Sequence, residues 1–188
     1  MAVQFQSSMG KTYFVRQSLT KTGKVRYVCT ATASDNDLEA LPEGMEFHES
    51  ATGIVSVRKK LVSKITDTEY QYVLKTASHL VKRRGIKVEL KKASMIIYEC
   101  ATPELPPMLE LLLAGKSRAK LPSVLVTPLA TPVFQLTLVD EENRDFVIER
   151  RCYLGAEESW MYLEKGDLKT LITRYAPHIG KDSFFKLF

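Results

Sequence analysis

The residues whose types could carry chemistry are few and widely spaced. Glu89-Leu90-Lys91 lies on a predicted strand and has the acidic-x-Lys order that metal-dependent nucleases place beside an upstream aspartate. In such a site the carboxylates hold the metal while the lysine assists the attacking water. No aspartate lies between Asp67 and Glu89 to supply the missing ligand. A three-residue pattern also arises by chance in a lysine-rich chain, so it does not predict a nuclease.

Nucleophilic catalysis would require a cysteine beside a histidine base, with Cys29 or Cys152 paired with His48 or His178. Nothing in the local sequence places either thiol on a strained turn or next to a base. Both cysteines alternate with strand residues, which favours small buried side chains. We therefore assign no catalytic residue and expect a protein that binds rather than catalyses. An enzyme with a dispersed site is the third alternative.

The three cysteines, at positions 29, 100 and 152, are far apart and odd in number. That spacing does not suit a disulfide framework and predicts reduced thiols in a cytoplasmic protein. There is no Cys-x-x-Cys, no His-x-His, no Gly-x-Gly-x-x-Gly and no P-loop. We therefore expect neither a metal nor a cofactor.

Positive charge is concentrated in the first half of the chain. The 188 residues carry a net charge of +5. Residues 1–95 hold 16 Lys/Arg against 9 Asp/Glu, a net +7, and residues 96–188 hold 11 against 13, a net −2. A basic half suggests nucleic acid or another polyanion as the partner. The alternative is an ordinary solvated face, because no recognised nucleic-acid motif accompanies the charge.

The candidate nucleic-acid-binding residues are cations of the first hairpins and of a predicted helix end. They are Arg16, Lys21, Lys24, Arg26, Arg58, Lys59, Lys60, Lys82, Arg83 and Arg84. Such side chains recognise phosphates because each neutralised phosphate releases a counterion.

Large apolar residues favour a second function, that of a protein-protein interaction or assembly module. The candidate partner-binding residues are Trp160, Phe184, Phe185 and Phe188, with an apolar region at 105–115. A lone tryptophan more often anchors a core than a partner. We also expect the final Phe-rich segment to fold back against the helix of residues 167–176 and the strand around Trp160, because apolar groups in water forgo burial energy.

Alternating patterns in the N-terminal half predict antiparallel hairpins. Residues 12–19 and 24–30 form one hairpin, and residues 46–49 and 54–60 form another, each with a Thr-Gly turn. Thr66-Asp67-Thr68-Glu69 fits a capping box at the start of an amphipathic helix, and Gly85 is placed to cap its end. Strands 86–90 and 94–101 follow.

The rest of the chain is predicted to contain a short buried helix at 108–114, a hairpin at 133–139 and 146–153, a strand near 160–163 and a helix after Gly166-Asp167. The fold class is therefore α+β, with antiparallel β-hairpins and a few helices packed on one face.

Six of the eight prolines lie in residues 103–132, which predicts a division of the chain there. Residues 1–102 form a basic hairpin-rich subdomain, 103–132 a packed proline-rich connection, and 133–188 a smaller α+β subdomain. The stretch 121–139 has 19 uncharged residues, nearly the length that spans a bilayer. Its three prolines and its alternation predict strands instead. With no apolar leader pattern, we expect a soluble cytoplasmic protein without membrane contact.

Overall fold

The computed structural model describes residues 2–81, 85–101, 129–152 and 159–188. The chain divides into two compact units, Met1–Val62 and Ser63–Phe188. Within the described ranges there are ten strands in antiparallel sheets and two α-helices, which confirms the predicted α+β class.

The first unit contains only strands. They are β1 (Gln4–Gln6), β2 (Thr12–Leu19), β3 (Val25–Thr30), β4 (Met45–Glu49) and β5 (Val55–Lys59). The first three form a sheet in the order β1-β2-β3, and the last two form a separate ribbon. Phe5 and Phe47 stack with ring centroids 5.1 Å apart, and Val15 is fully buried. These apolar contacts join the two sheets of this unit.

Three tight turns of the first unit share one sequence pattern. Each begins with a hydroxyl residue and has glycine at its fourth position, at 7–10, 20–23 and 50–53. In the second, Thr20 Oγ1 accepts a hydrogen bond from Lys24 N at 3.0 Å. In the third, Ser50 Oγ accepts from Ile54 N at 3.0 Å. Gly23 and Gly53 have φ of +75° and +83°, which only glycine adopts at low cost.

The second unit is a five-stranded meander covered by helices on one face. Its elements are α1 (Asp67–Leu80), β6 (Gly85–Leu90), β7 (Ser94–Ala101), β8 (Leu129–Asp140), β9 (Asp145–Cys152), β10 (Ser159–Asp167) and α2 (Leu168–Tyr175). Two 3-10 turns follow, Ala176–His178 and Asp182–Lys186. The strands are ordered β6-β7-β8-β9-β10, each antiparallel to the next.

The core of the second unit lies between the sheet and the helices. Phe134, Leu136 and Ile148 on the strands are fully buried, as are Leu171 and Ile172 on α2. Burial of such side chains contributes roughly 1.5–3 kcal/mol each. The sheet therefore positions both helices through one continuous apolar layer.

Helix α1 begins as predicted and ends earlier than predicted. Thr66 Oγ1 accepts from Glu69 N, and Glu69 Oε2 accepts from Thr66 N at 2.8 Å, which completes the capping box. The helix ends at Leu80 with Val81 as its C-cap, and Gly85 is the first residue of β6. The assignment of Gly85 as a helix cap was wrong, because this glycine belongs to a strand.

The two compact units and the predicted subdomains have different limits along the chain. The predicted boundary followed residue 102, whereas the units divide after Val62. Strand β7, before the proline-rich segment, pairs with β8, which follows it. This non-local pairing places both sides of the segment in one sheet. The predicted helix 108–114 and the apolar region 105–115 lie outside the described residues, as does most of the 103–132 connection.

The structure describes part of the uncharged stretch 121–139. Its residues 129–139 belong to strand β8, as the alternation predicts, and residues 121–128 lie outside the described ranges. No helix in the described part of the chain is long and apolar enough to cross a membrane.

The Phe-rich segment is half buried and half exposed. Phe184 is buried, with its ring edge-to-face against Phe134 at 5.2 Å. The buried Arg150 guanidinium lies 5.6 Å from the same ring. Phe185 and Phe188 are 62% and 91% exposed. The segment therefore docks through Phe184, against β8 and β9, and through the partly buried Leu187, which packs against the same core.

Candidate functional site

The first hairpin extends beyond its sheet as a two-stranded ribbon. Strand β1 pairs with β2 only at Thr12, Tyr13 and Phe14. Beyond that point β2 and β3 continue as a pair through Ser18↔Arg26 and Leu19↔Val25 to the turn. We name residues 17–27 the β-arm.

Both faces of the β-arm are accessible. Side chains alternate between the two faces of a strand pair, so Leu19 and Val25 share one face and Ser18 and Arg26 share the other. Leu19 is 66% exposed and Val25 is 49% exposed, although both are apolar. Arg26 is exposed on the opposite face. A partner could therefore contact the arm from either side or enclose it.

The β-arm lies in a segment that contains cations and no carboxylates. The first 34 residues include five Lys/Arg and neither aspartate nor glutamate. Three of the five cations, Lys21, Lys24 and Arg26, belong to the arm, and all three are exposed. None of the three takes part in an ion pair in the described structure. Their positive charge is therefore open to solvent.

Two of the candidate cations are neutralised inside the first unit. Arg16 Nε donates to Asp37 Oδ1 at 2.6 Å, and its Nη2 donates to Thr32 O. Burial acts to raise the pKa of Asp37, but hydrogen bonds from Arg16 and from Ser34 N hold it below its usual range. Asp37 is therefore ionised at neutral pH, and Arg16 holds the loop that contains it.

Arg58, on β5, is paired with a carboxylate in the same way. Its Nε donates to Glu46 Oε1 at 2.9 Å, and the same oxygen accepts from Leu61 N at 3.3 Å. Burial would raise the pKa of Glu46, and these hydrogen bonds lower it. Lys59 and Lys60, next in sequence, are exposed at the end of β5. The remaining candidates, residues 82–84, lie outside the described ranges.

The candidate partner-binding residues lie in different environments. Trp160 is half-buried, and the Arg151 guanidinium is 5.5 Å from its ring centroid. Phe184 belongs to the core and is not accessible, whereas Phe185 and Phe188 are exposed. Of the four aromatic candidates, Phe185 and Phe188 are therefore the most accessible to a partner.

A cleft of about 570 Å³ lies in the second unit where both helices begin. Tyr72, Arg144 and Lys169 are among its lining residues, with the carboxylates Glu69 and Asp167. Two cations face two carboxylates, so their formal charges cancel. The volume is in the range of small-molecule sites.

The cleft's polar groups are largely occupied by the chain itself. Arg144 Nε donates to Glu69 Oε1 at 2.9 Å, and Asp167 caps α2 by accepting from Thr170 N at 3.0 Å. Hydrogen bonds from Thr170 keep the pKa of Asp167 below its usual range. Lys169 lies 6.0 Å from the Tyr72 ring centroid. The exposed cations of the β-arm therefore offer a stronger anion-binding surface than this cleft.

The sequence patterns predicted both helix starts but not the cleft between them. The available signals were the capping box at Thr66 and the Gly-Asp pair before α2. Their proximity depends on α1 and α2 packing on the same face of the sheet with their first turns beside the β8–β9 turn. The sequence pattern also gave no indication of which arginines were paired with distant carboxylates.

All three cysteines are free thiols, with Cys29 half-buried and Cys100 and Cys152 buried. No cluster of His, Cys, Asp or Glu that could hold a metal ion occurs among the described residues. Comparison with models of protein families, with curated proteins and with solved structures gives no significant match to this chain.

Proposed function

We propose that this chain is a non-catalytic binding protein that binds nucleic acid through the β-arm. The observation that carries the proposal is the set of three exposed cations, Lys21, Lys24 and Arg26, in a segment of 34 residues without a carboxylate. Phosphate backbones are bound mainly by such unpaired cations, which replace condensed counterions.

The charges of the first unit as a whole are more balanced than those of the arm. Residues 1–62 hold eight Lys/Arg and six Asp/Glu, a net charge of +2. The six carboxylates all follow residue 34, and two of them, Asp37 and Glu46, are paired with Arg16 and Arg58. Because the unit has little net charge, the local charge of the arm supports the proposal better than the overall composition does.

The number of available cations sets the expected salt dependence. Three phosphate contacts give a slope of log affinity against log salt of about −2.7 on duplex DNA. Affinity would then fall roughly 40-fold between 50 and 200 mM salt. Binding by the arm alone is therefore weak at physiological salt.

The proposal is tested by neutralising the arm and comparing it with a matched control. The arm variant is Lys21→Gln/Lys24→Gln/Arg26→Gln. The control is Lys75→Gln/Lys91→Gln/Lys92→Gln, which removes three exposed cations from α1 and the β6–β7 turn. Fluorescence anisotropy with a labelled oligonucleotide is recorded over a salt series, and circular dichroism checks that both variants melt like the wild type.

We expect the arm variant to lose binding and the control to retain it. If both variants bind alike, or if the wild type fails to bind at 20 mM salt, the proposal is wrong.

Exposed aromatic residues favour a second candidate function, protein binding. Phe185 and Phe188 are largely solvent-exposed beside the buried anchor Phe184. Exposed aromatic groups are characteristic of protein contacts. Under this alternative, Phe185→Ser/Phe188→Ser reduces self-association measured by light scattering and leaves oligonucleotide affinity unchanged. An unchanged mass across protein concentrations, for both wild type and variant, would count against self-association.

A further inference from the structure

We infer that the β-arm enters the major groove of duplex DNA, an inference that rests on the proposed function and specifies its partner. Three properties of the arm fit this groove: its shape, the side chains on its two faces, and the absence of a fully exposed aromatic ring among residues 17–27.

The shape of the arm matches one groove and not the other. Paired strands lie about 4.8 Å apart, and the major groove of B-DNA is about 12 Å wide. That groove admits a two-stranded ribbon, whereas the minor groove is about 6 Å wide. Three residue pairs, from Gln17↔Tyr27 to Leu19↔Val25, precede the turn. At roughly 3.3 Å per residue these pairs are about 10 Å long, so the ribbon can lie in the groove with one face toward the base edges.

The two faces of the ribbon provide the two kinds of contact found in this groove. Arg26 presents its guanidinium on one face, with Nε held by Ser18 Oγ at 2.9 Å. Its remaining nitrogens can donate to the phosphates that border the groove. Leu19 and Val25 place apolar groups on the other face, where thymine methyl groups are exposed. Lys21 and Lys24 flank the tip and can reach the backbone phosphates.

The arm suits neither single strands nor RNA duplexes. Single-stranded nucleic acid binds by stacking bases on exposed aromatic rings. The single aromatic residue of the arm, Tyr27, is half-buried. The major groove of A-form RNA is too deep and narrow for side chains to read. The ribbon therefore favours B-form duplex DNA.

The test compares three labelled probes at one low salt concentration: a 20-bp DNA duplex, one of its strands alone, and the RNA duplex of the same sequence. Methyl green and netropsin serve as competitors for the major and minor grooves. We expect the DNA duplex to bind about tenfold more tightly than the other probes, a difference of roughly 1.4 kcal/mol. We expect methyl green to displace the protein and netropsin to have no effect.

The apolar face is tested separately with matched variants. Leu19→Ala/Val25→Ala should weaken binding to an A·T-rich duplex several-fold without changing the salt slope. Ile54→Ala/Val62→Ala, which truncates two other exposed apolar residues of the same unit, should have no effect.

The outcomes separate the two proposals. Equal or tighter binding of the single strand or RNA duplex, or displacement by netropsin alone, would overturn the groove inference and leave the proposed function standing. Absence of binding to all three probes would overturn both the groove inference and the proposed function. Equal losses in the two apolar variants would contradict a specific role for Leu19 and Val25.

Discussion

Arg26 Nε donates a hydrogen bond to Ser18 Oγ at 2.9 Å, and the two residues are directly opposite each other in the β-arm. Arg16, two residues before Ser18 on the same face of β2, donates instead to Asp37. The two arginines therefore share a strand-pair face but differ in what holds them. Arg26 remains available to a partner, whereas Arg16 is bonded within the fold.

This difference predicts opposite effects of two alanine substitutions. Arg16→Ala leaves Asp37, whose side chain is 1% exposed, without its cation, and should lower the melting temperature. Arg26→Ala removes an exposed side chain and should leave the melting temperature within about a degree or two. Circular dichroism melting and oligonucleotide titration check both variants. If Arg26→Ala destabilises the protein as much as Arg16→Ala, Arg26 has a structural role.

Local signals predicted most of the described elements. The capping box at Thr66 and Glu69 gave the start of α1, and alternation gave β2 and β3 with their turn. Both depend on interactions between residues close in sequence. The pairing of β7 with β8 could not be predicted in this way, because it joins residues on either side of the proline-rich segment. The division at 102 therefore stays a prediction, while the two compact units of the structure divide after Val62.

The candidate site was predicted only in part for the same reason. The cations were visible in the sequence, but their neutralisation depends on tertiary contacts. Arg16 and Asp37 are 21 residues apart, and Arg58 and Glu46 are 12 apart. No spacing rule singles out these carboxylates among the six of the first unit. The exposure of Leu19 and Val25 was likewise not indicated by the alternation of their strands.

The second prediction concerns the anchor of the Phe-rich segment. Phe184→Ala empties a buried site against Phe134 and should cost roughly 3–5 kcal/mol of unfolding free energy. In a chain of this size the melting temperature should fall by about 10 °C. Phe188→Ala serves as the control, because its side chain is 91% exposed and its effect should stay within about 0.5 kcal/mol. Similar melting temperatures for the two variants would show that Phe184 is not an anchor.

The third prediction concerns thiol reactivity. Cys29 is half-buried, and burial raises the pKa of its thiol, so it should react slowly with iodoacetamide at pH 7. Cys100 and Cys152 are buried and should react only through local opening, which is slower still. Mass spectrometry of the native protein should find Cys29 modified first. Cys29→Ser should remove that first modification, and faster labelling of either buried cysteine would contradict the burial pattern.

The last prediction concerns the pH dependence of the Arg144–Glu69 contact. Burial acts to raise the pKa of Glu69, but hydrogen bonds from Arg144 and Thr66 hold it below the usual value of about 4.3. A carboxyl with a lower pKa in the folded state stabilises the protein fully above its unfolded pKa. That stability is lost as the pH falls through the folded pKa.

Arg144→Gln should therefore cost about 1 kcal/mol at pH 7, the upper end for a pair in which the arginine is a third exposed. The difference from wild type should shrink as the pH falls from the unfolded pKa of about 4.3 through the lower pKa that Glu69 has in the folded wild type, because the carboxylate is then protonated in both proteins. Urea unfolding at several values between pH 7 and pH 3 measures this difference. Lys169→Gln is the control, because this lysine lines the same cleft without pairing with a carboxylate in the described structure, and its effect should be small at every pH. A cost for Arg144→Gln that stays constant over the whole pH range would show that the ionised Glu69 carboxylate is not its source.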